Sequence, residues 1–138
     1  MLPKVVFDTN IFISAIIFGG NPRICLEIAK EGRIELFTSK ELLLELSEKL
    51  HKKFQWNDED IKDVIVGISR FAKIIKPLEK VNKIKIDPTD NRVLEVAKWI
   101  KADLIISGDK RHILPLKRFG KARILTAAEF IIEVKLQN

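Results

Sequence analysis

Residues 103–109 read DLIISGD. Leu104, Ile105 and Ile106 form a short, dense apolar run, and the chain turns polar at once on Ser107, Gly108 and Asp109. Such a run, bounded by turn residues and rich in β-branched side chains, is the signature of a strand buried on both faces. The chain opens the same way: Val5, Val6 and Phe7 run straight into Asp8, Thr9 and Asn10. Two buried strands that each end on an aspartate raise one question. Either the acids cap the next turn or helix of the chain, or they form part of a site.

Working outward, strand and helix signals alternate. Residues 10–18 predict a short helix stopped by Gly19-Gly20. Asn21-Pro22 predicts the start of a second helix, with Asn21 as cap, Pro22 at the first helical position and Gly32 just past the end. IELFTS comes next as a strand. Thr38 or Ser39 is placed to cap the helix KELLLELSEKLHKKF, with Glu41 set for a capping box with Thr38. Asn57 or Asp58 caps a further helix to about Phe71, and AKIIKPL predicts a strand ended by Pro77. A polar connection, KVNKIKIDPTDN, leads into the helix NRVLEVAKWIK and then into DLIISGD. KRHILPLKRFGK predicts an irregular or helical stretch broken by Pro115, ARIL a last strand, and Thr126 with Glu129 a capping box on the terminal helix. Short strands separated by helices predict an α/β fold: a mostly parallel sheet with helices on both faces.

At 138 residues the chain is expected to form one domain with a real core. A hydrophobic content of 46% against 32% charged residues is that of a soluble protein. No apolar run is long enough to span a bilayer, and the first one meets Asp8 too early for a signal peptide. Cys25 is the single cysteine, which excludes an internal disulfide and a Cys-rich zinc site, and a cytoplasmic location is the simple expectation. The net charge of +6 favours an anionic partner, with nucleic acid ahead of membrane because no basic amphipathic anchor is evident.

Ligands of open parallel sheets bind beyond the carboxyl ends of the strands. Asp8 and Asp109 fall there, and Asp87 and Asp90 precede a helix that starts on that side. On the KELLLELSEKL helix, Leu42, Leu43, Leu46 and Leu50 make the apolar stripe, and Glu45 lies at its border, within reach of the same edge. Converging carboxylates without a matching base require cations, and a set of hard oxygen ligands selects Mg²⁺ or Mn²⁺. The chemistry such a set supports is phosphodiester hydrolysis. Each acid also has an ordinary structural reading: Asp8 and Asp90 as helix caps, Asp87-Pro88 and Gly108-Asp109 as turns, Glu45 as a solvated helix residue.

Taken together, VVFDTNIFISA, TSKELLLELSEKL, DPTDNRVLEVAKWIKADLIISGDKRHIL and ARILTAAEFI make the sequence resemble a PIN domain over essentially its whole length. It is most similar to the small single-domain PIN proteins regarded as toxins of toxin–antitoxin pairs, the VapC group. The resemblance implies a three-layer α/β/α sandwich and a Mg²⁺- or Mn²⁺-dependent ribonuclease. It implies that Asp8, Glu45, Asp90 and Asp109 are the four catalytic, metal-holding acids, supported by Asn10, Ser107 and Thr9. It also implies an antitoxin partner and a homodimer. Many relatives carry a further acid two residues after the fourth; here Arg111 stands in its place.

Lys110, Arg111 and His112 come directly after Asp109 and are candidate RNA-binding residues, because an acidic pocket alone would repel a phosphate backbone. His51-Lys52-Lys53 is a second basic cluster that either contacts substrate or favours its helix C-terminus. Trp56 and Trp99 are expected as core or interface anchors. The reading that emerges is a metal-dependent endoribonuclease for single-stranded or loop RNA. Two others stand beside it: an aspartate-nucleophile phosphatase, for which FDTN lacks the second aspartate, and a non-catalytic RNA-binding module on the same fold.

Overall fold

The computed structural model describes residues 1–84 and 91–137. A six-stranded sheet carries the fold, built from β1 (Lys4–Phe7), β2 (Glu35–Ser39), β3 (Ala72–Ile75), β4 (Leu104–Ile106), β5 (Arg118–Phe119) and β6 (Ala122–Leu125) in the order β3-β2-β1-β4-β6-β5. Every pairing is parallel except the antiparallel β5–β6. The described helices are α1 (Thr9–Ile17), α2 (Gly20–Lys30), α3 (Lys40–Phe54), α4 (Asp58–Ser69), α5 (Asn91–Ile100) and α6 (Ala127–Leu136).

The apolar runs divide their side chains between two cores, as the two-residue period of a strand requires. Val5, Phe7, Leu36 and Ile106 face one side, packed with residues of α1, α2, α3, α4 and α6. Val6, Phe37, Ile105 and Ile124 face the other, with Val93, Leu94 and Val96 of α5. This is the α/β/α sandwich expected from the alternation. Trp56 packs against the first core, but Trp99 is 42% exposed and belongs to neither core.

Several local devices differ from the sequence expectation. Gly19, not Asn21, is the N-cap of α2. Gly19 and Gly20 have φ of +81° and +63°, a region glycine enters without a Cβ penalty, so the chain turns into α2 on the glycine pair itself. No capping box joins Thr38 and Glu41: the Ser39 hydroxyl accepts from Leu42 N–H and caps α3. Thr38 and Ser39 both pair with β3, opposite Ile74 and Ile75, and α3 starts directly after the strand at Lys40. Of the stretch expected as irregular or helical, Leu114–Leu116 is a short 3₁₀ helix, but residues 118–123 form a hairpin whose tight turn Gly120 at φ +60° makes possible. The Asn57 cap and the reciprocal Thr126–Glu129 capping box are as expected.

Cys25 is fully buried, with Sγ 3.8 Å from the Ala127 carbonyl oxygen. Burial pushes its thiol up to about 12, so the reactive thiolate is suppressed. We therefore expect no alkylation of the native protein at about pH 8, and stoichiometric alkylation once it is unfolded. Rapid native labelling would contradict the packing of α2 against α6.

Candidate functional site

The strand order explains where a site can form. From β1 the chain builds outward through β2 to β3, then crosses to the other side for β4 and β6. The carboxyl ends of β1 and β4 therefore flank the point where the order reverses, the usual crevice of an open parallel sheet. Asp8 comes after β1 there, and Ser107 and Asp109 come after β4. The last ladder bonds bring them together: Asp8 N–H donates to Ile106 O at 2.9 Å, and Ser107 N–H to Leu125 O at 3.0 Å.

Ser107 is the link between the two acids. Its hydroxyl is fully buried, donates to Asp8 Oδ2 at 2.8 Å and accepts from Asp109 N–H at 3.0 Å. Asp8 is only 8% exposed, an expensive place for a carboxylate unless donors or cations compensate it. Asp109 is half-buried and performs the turn role as well as lining the edge. Its Oδ1 accepts from Arg111 N–H at 2.9 Å and His112 N–H at 3.1 Å, while Oδ2 lies 3.9 Å from His112 Nδ1.

Glu45 reaches the same edge from α3. The buried Thr9 hydroxyl donates to Glu45 Oε2, tying α3 to the residue after Asp8. One turn on, Lys49 Nζ approaches the Asn10 side-chain oxygen at 3.4 Å. Asp8, Thr9, Asn10, Glu45, Ser107 and Asp109 are thus brought to one crevice. Asp90, like Asp87, lies outside the described residues. Among the described residues, no group of three or more His, Cys, Asp and Glu side chains stands close enough to hold a metal. The donors present are oxygens. They suit a hard cation bound through one or two carboxylates plus water and phosphate oxygens, the usual Mg²⁺ arrangement.

Three residues not singled out by the sequence complete the picture. Asn91 opens α5 and is buried; its amide accepts from Ile84 N–H at 2.8 Å and donates to Ile84 O at 2.6 Å. The other two, Lys49 and Arg92, join Glu45, Glu48, Lys52 and Lys53 around a cleft of about 260 Å³. Lys49 carries the one available sequence signal, its position four residues after Glu45 on the same helix face. Arg92 and Asn91 carry none, because their roles depend on how α5 meets the sheet. Lys110 and Arg111 are exposed beside Asp109, and His112 is half-buried.

A β1–β4 switch-point crevice in an α/β/α sandwich is where an open parallel sheet binds its ligands, and carboxylates come to it here. The chain belongs to the PIN-domain family: the family model for a PIN domain matches residues 4–111. Members of this family are generally nucleases. An uncharacterized protein of Methanocaldococcus jannaschii is 39% identical over 113 residues, covering 78% of this chain and 71% of that protein. Two solved structures share the fold. VapBC2 from Rickettsia felis, bound to a DNA fragment from their promoter, aligns with TM-score 0.64 and 16% identity over 89% of this chain and 98% of that one. The PIN domain of T. brucei RRP44 aligns with TM-score 0.54 and 13% identity over 99% and 83%.

Proposed function

We propose that this chain is a metal-dependent endoribonuclease that hydrolyses single-stranded or loop RNA at the crevice between β1 and β4. The observation that carries the reading is the buried Ser107 hydroxyl bridging Asp8 and Asp109 at the switch point of a PIN-family sheet. Asp8 is the principal ligand, with Asp90, Asp109 and Glu45 completing the acidic edge. A bound Mg²⁺ or Mn²⁺ supplies the Lewis acidity and the activated water that phosphodiester hydrolysis needs.

The protein's own residues do the positioning. Ser107 donates to Asp8 and so fixes the direction in which its other oxygen points. Thr9 does the same for Glu45. Lys49, Lys52, Lys53 and Arg92 line a cleft that begins at Glu45, giving a phosphate backbone a cationic path to the acids. Arg111, exposed two residues after Asp109, can take a phosphate through its guanidinium fork. His112, beside Asp109, contacts substrate rather than moving a proton. Single-stranded RNA suits this open edge, since its backbone can bend into a crevice that a duplex cannot enter. We further propose that the protein acts as a homodimeric toxin whose antitoxin covers the crevice. The fold shared with VapBC2 supports the antitoxin part of this reading.

Metal-stripped protein incubated with end-labelled single-stranded RNA tests the proposal. Cutting on addition of Mg²⁺ or Mn²⁺, and none with chelator, is expected. RNA bound but uncut in both metals would instead favour the non-catalytic binding module, a reading helped by the engagement of Glu45 with Thr9 and of Asp109 with its turn. Arg111→Ala is expected to weaken RNA binding several-fold and to reduce the salt slope of log K by about 0.7. An unchanged slope would make Arg111 a bystander.

A further inference from the structure

A cleft of about 960 Å³ lies away from the acidic crevice. It lies at the opposite, amino edge of the sheet, between the end of α5, the β5–β6 turn and residues 79–83. Its walls combine aromatic and basic surface. Trp99 on α5 and Phe119 on β5 supply aromatic surface, with Trp99 42% exposed. Five lysines and one glutamate supply the charge. Two of those lysines are already engaged: Lys98 Nζ lies 3.0 Å from Glu79 and Lys121 Nζ 3.2 Å from Asp103. Lys80, Lys83 and Lys101 are exposed and make no ion pair among the described residues.

Exposed tryptophan beside a surplus of lysines is a combination suited to single-stranded nucleic acid. Bases stack on the aromatic face whatever their identity, and cations hold the intervening phosphates. We propose that this cleft is a second binding site for single-stranded nucleic acid, in which bases stack on Trp99 and Phe119 while Lys80, Lys83 and Lys101 neutralise phosphates. An acidic peptide would satisfy the lysines but has no planar faces for the two rings. The choice of ligand rests on the ribonuclease reading of the crevice. The ten residues of α5 separate the two sites by about 15 Å, so one strand can occupy both if it is more than a few nucleotides long. The site then holds the substrate away from the chemistry, and longer RNA binds more tightly without being cut by a different mechanism.

The test is fluorescence anisotropy of the full chain in chelator with labelled single-stranded RNA of about 20 and about six nucleotides. Two variants are compared with wild type: Lys80→Gln/Lys83→Gln/Lys101→Gln, and Trp99→Ala. All four positions are on the surface, and none belongs to the crevice. The triple variant is expected to bind the longer RNA about tenfold more weakly, with the salt slope of log K reduced by about 2. Trp99→Ala is expected to cost about tenfold at an unchanged slope. Metal-dependent cutting of the shorter RNA should persist in both. Unchanged affinity and slope in both variants, with wild-type cutting intact, would overturn the second site and leave the nuclease standing. Binding lost in the variants but no cutting by wild type would keep the site and remove the nuclease. A polyglutamate peptide displacing the longer RNA as well as unlabelled RNA does would also overturn it, making the cleft an acidic-peptide site.

Discussion

Asp8→Asn is expected to lower RNA cleavage by about a hundredfold or more while leaving the protein folded. The substitution keeps the size of the side chain and an oxygen that can still accept from Ser107, so the link to Asp109 survives. It removes the negative charge at a position that is 8% exposed and turns the other oxygen into an N–H donor. Taking a charge out of such a site relieves desolvation, so stability should change by no more than about 1 kcal/mol. Thermal unfolding and cleavage measured on the same sample separate the two effects. Asp109→Asn should also abolish cleavage with the fold intact, because both the Arg111 and the His112 N–H groups donate to Oδ1, an acceptor that asparagine keeps. Cleavage unchanged in either variant would remove the crevice from the account.

Asn91→Ala is expected to be the most damaging single change among the polar residues. Its amide makes both hydrogen bonds to the backbone of Ile84, and both residues are buried. Alanine leaves an N–H and a carbonyl without partners and out of reach of water, a loss of about 2–4 kcal/mol. The consequence reaches the site, because Asp90 immediately precedes Asn91 in the chain. Urea unfolding should show a lowered midpoint at an unchanged m-value, and cleavage should fall with it. A midpoint close to wild type would mean that the Asn91–Ile84 pairing does not hold that part of the chain.

Most of the architecture could be read from residue patterns. DLIISGD and KVVFD are dense enough in apolar residues to be two-sided strands and nothing else, and the KELLLELSEKLHKKF helix has the bounds that its stripe and flanking residues predict. The devices that escaped depend on tertiary context. The β5 strand is two residues long, too short for any periodicity, and exists because Gly120 lets it fold back on β6. Thr38 and Ser39 both carry the cap chemistry, and the choice of Ser39 follows from where α3 leaves β2, which the local sequence does not mark. Trp99 follows the apolar period of α5 but sits at the helix end, beyond the sheet that would have covered it.

The site was legible in part. Asp8 and Asp109 were identifiable because each closes a strand, and strand ends are where parallel sheets place ligands. Glu45 needed only the helical projection, and its bond from Thr9 puts it at the border of the stripe. The Ser107 bridge was not readable from spacing, since it depends on β1 and β4 being neighbours. The cationic cleft was half visible: Lys52 and Lys53 stood out as a basic run, but Arg92 comes from a helix on the other face of the sheet.

The central claim is that Asp8 ends its strand at the crevice in order to hold a metal that cuts RNA. It is tested most directly by titrating metal-free wild type and Asp8→Asn with Mn²⁺, reading bound metal by electron paramagnetic resonance and RNA cleavage in the same tubes. The account predicts that wild type binds Mn²⁺ and begins to cut as the site fills, and that Asp8→Asn loses both. Cleavage that persists in chelator, or that survives intact in Asp8→Asn, would contradict it.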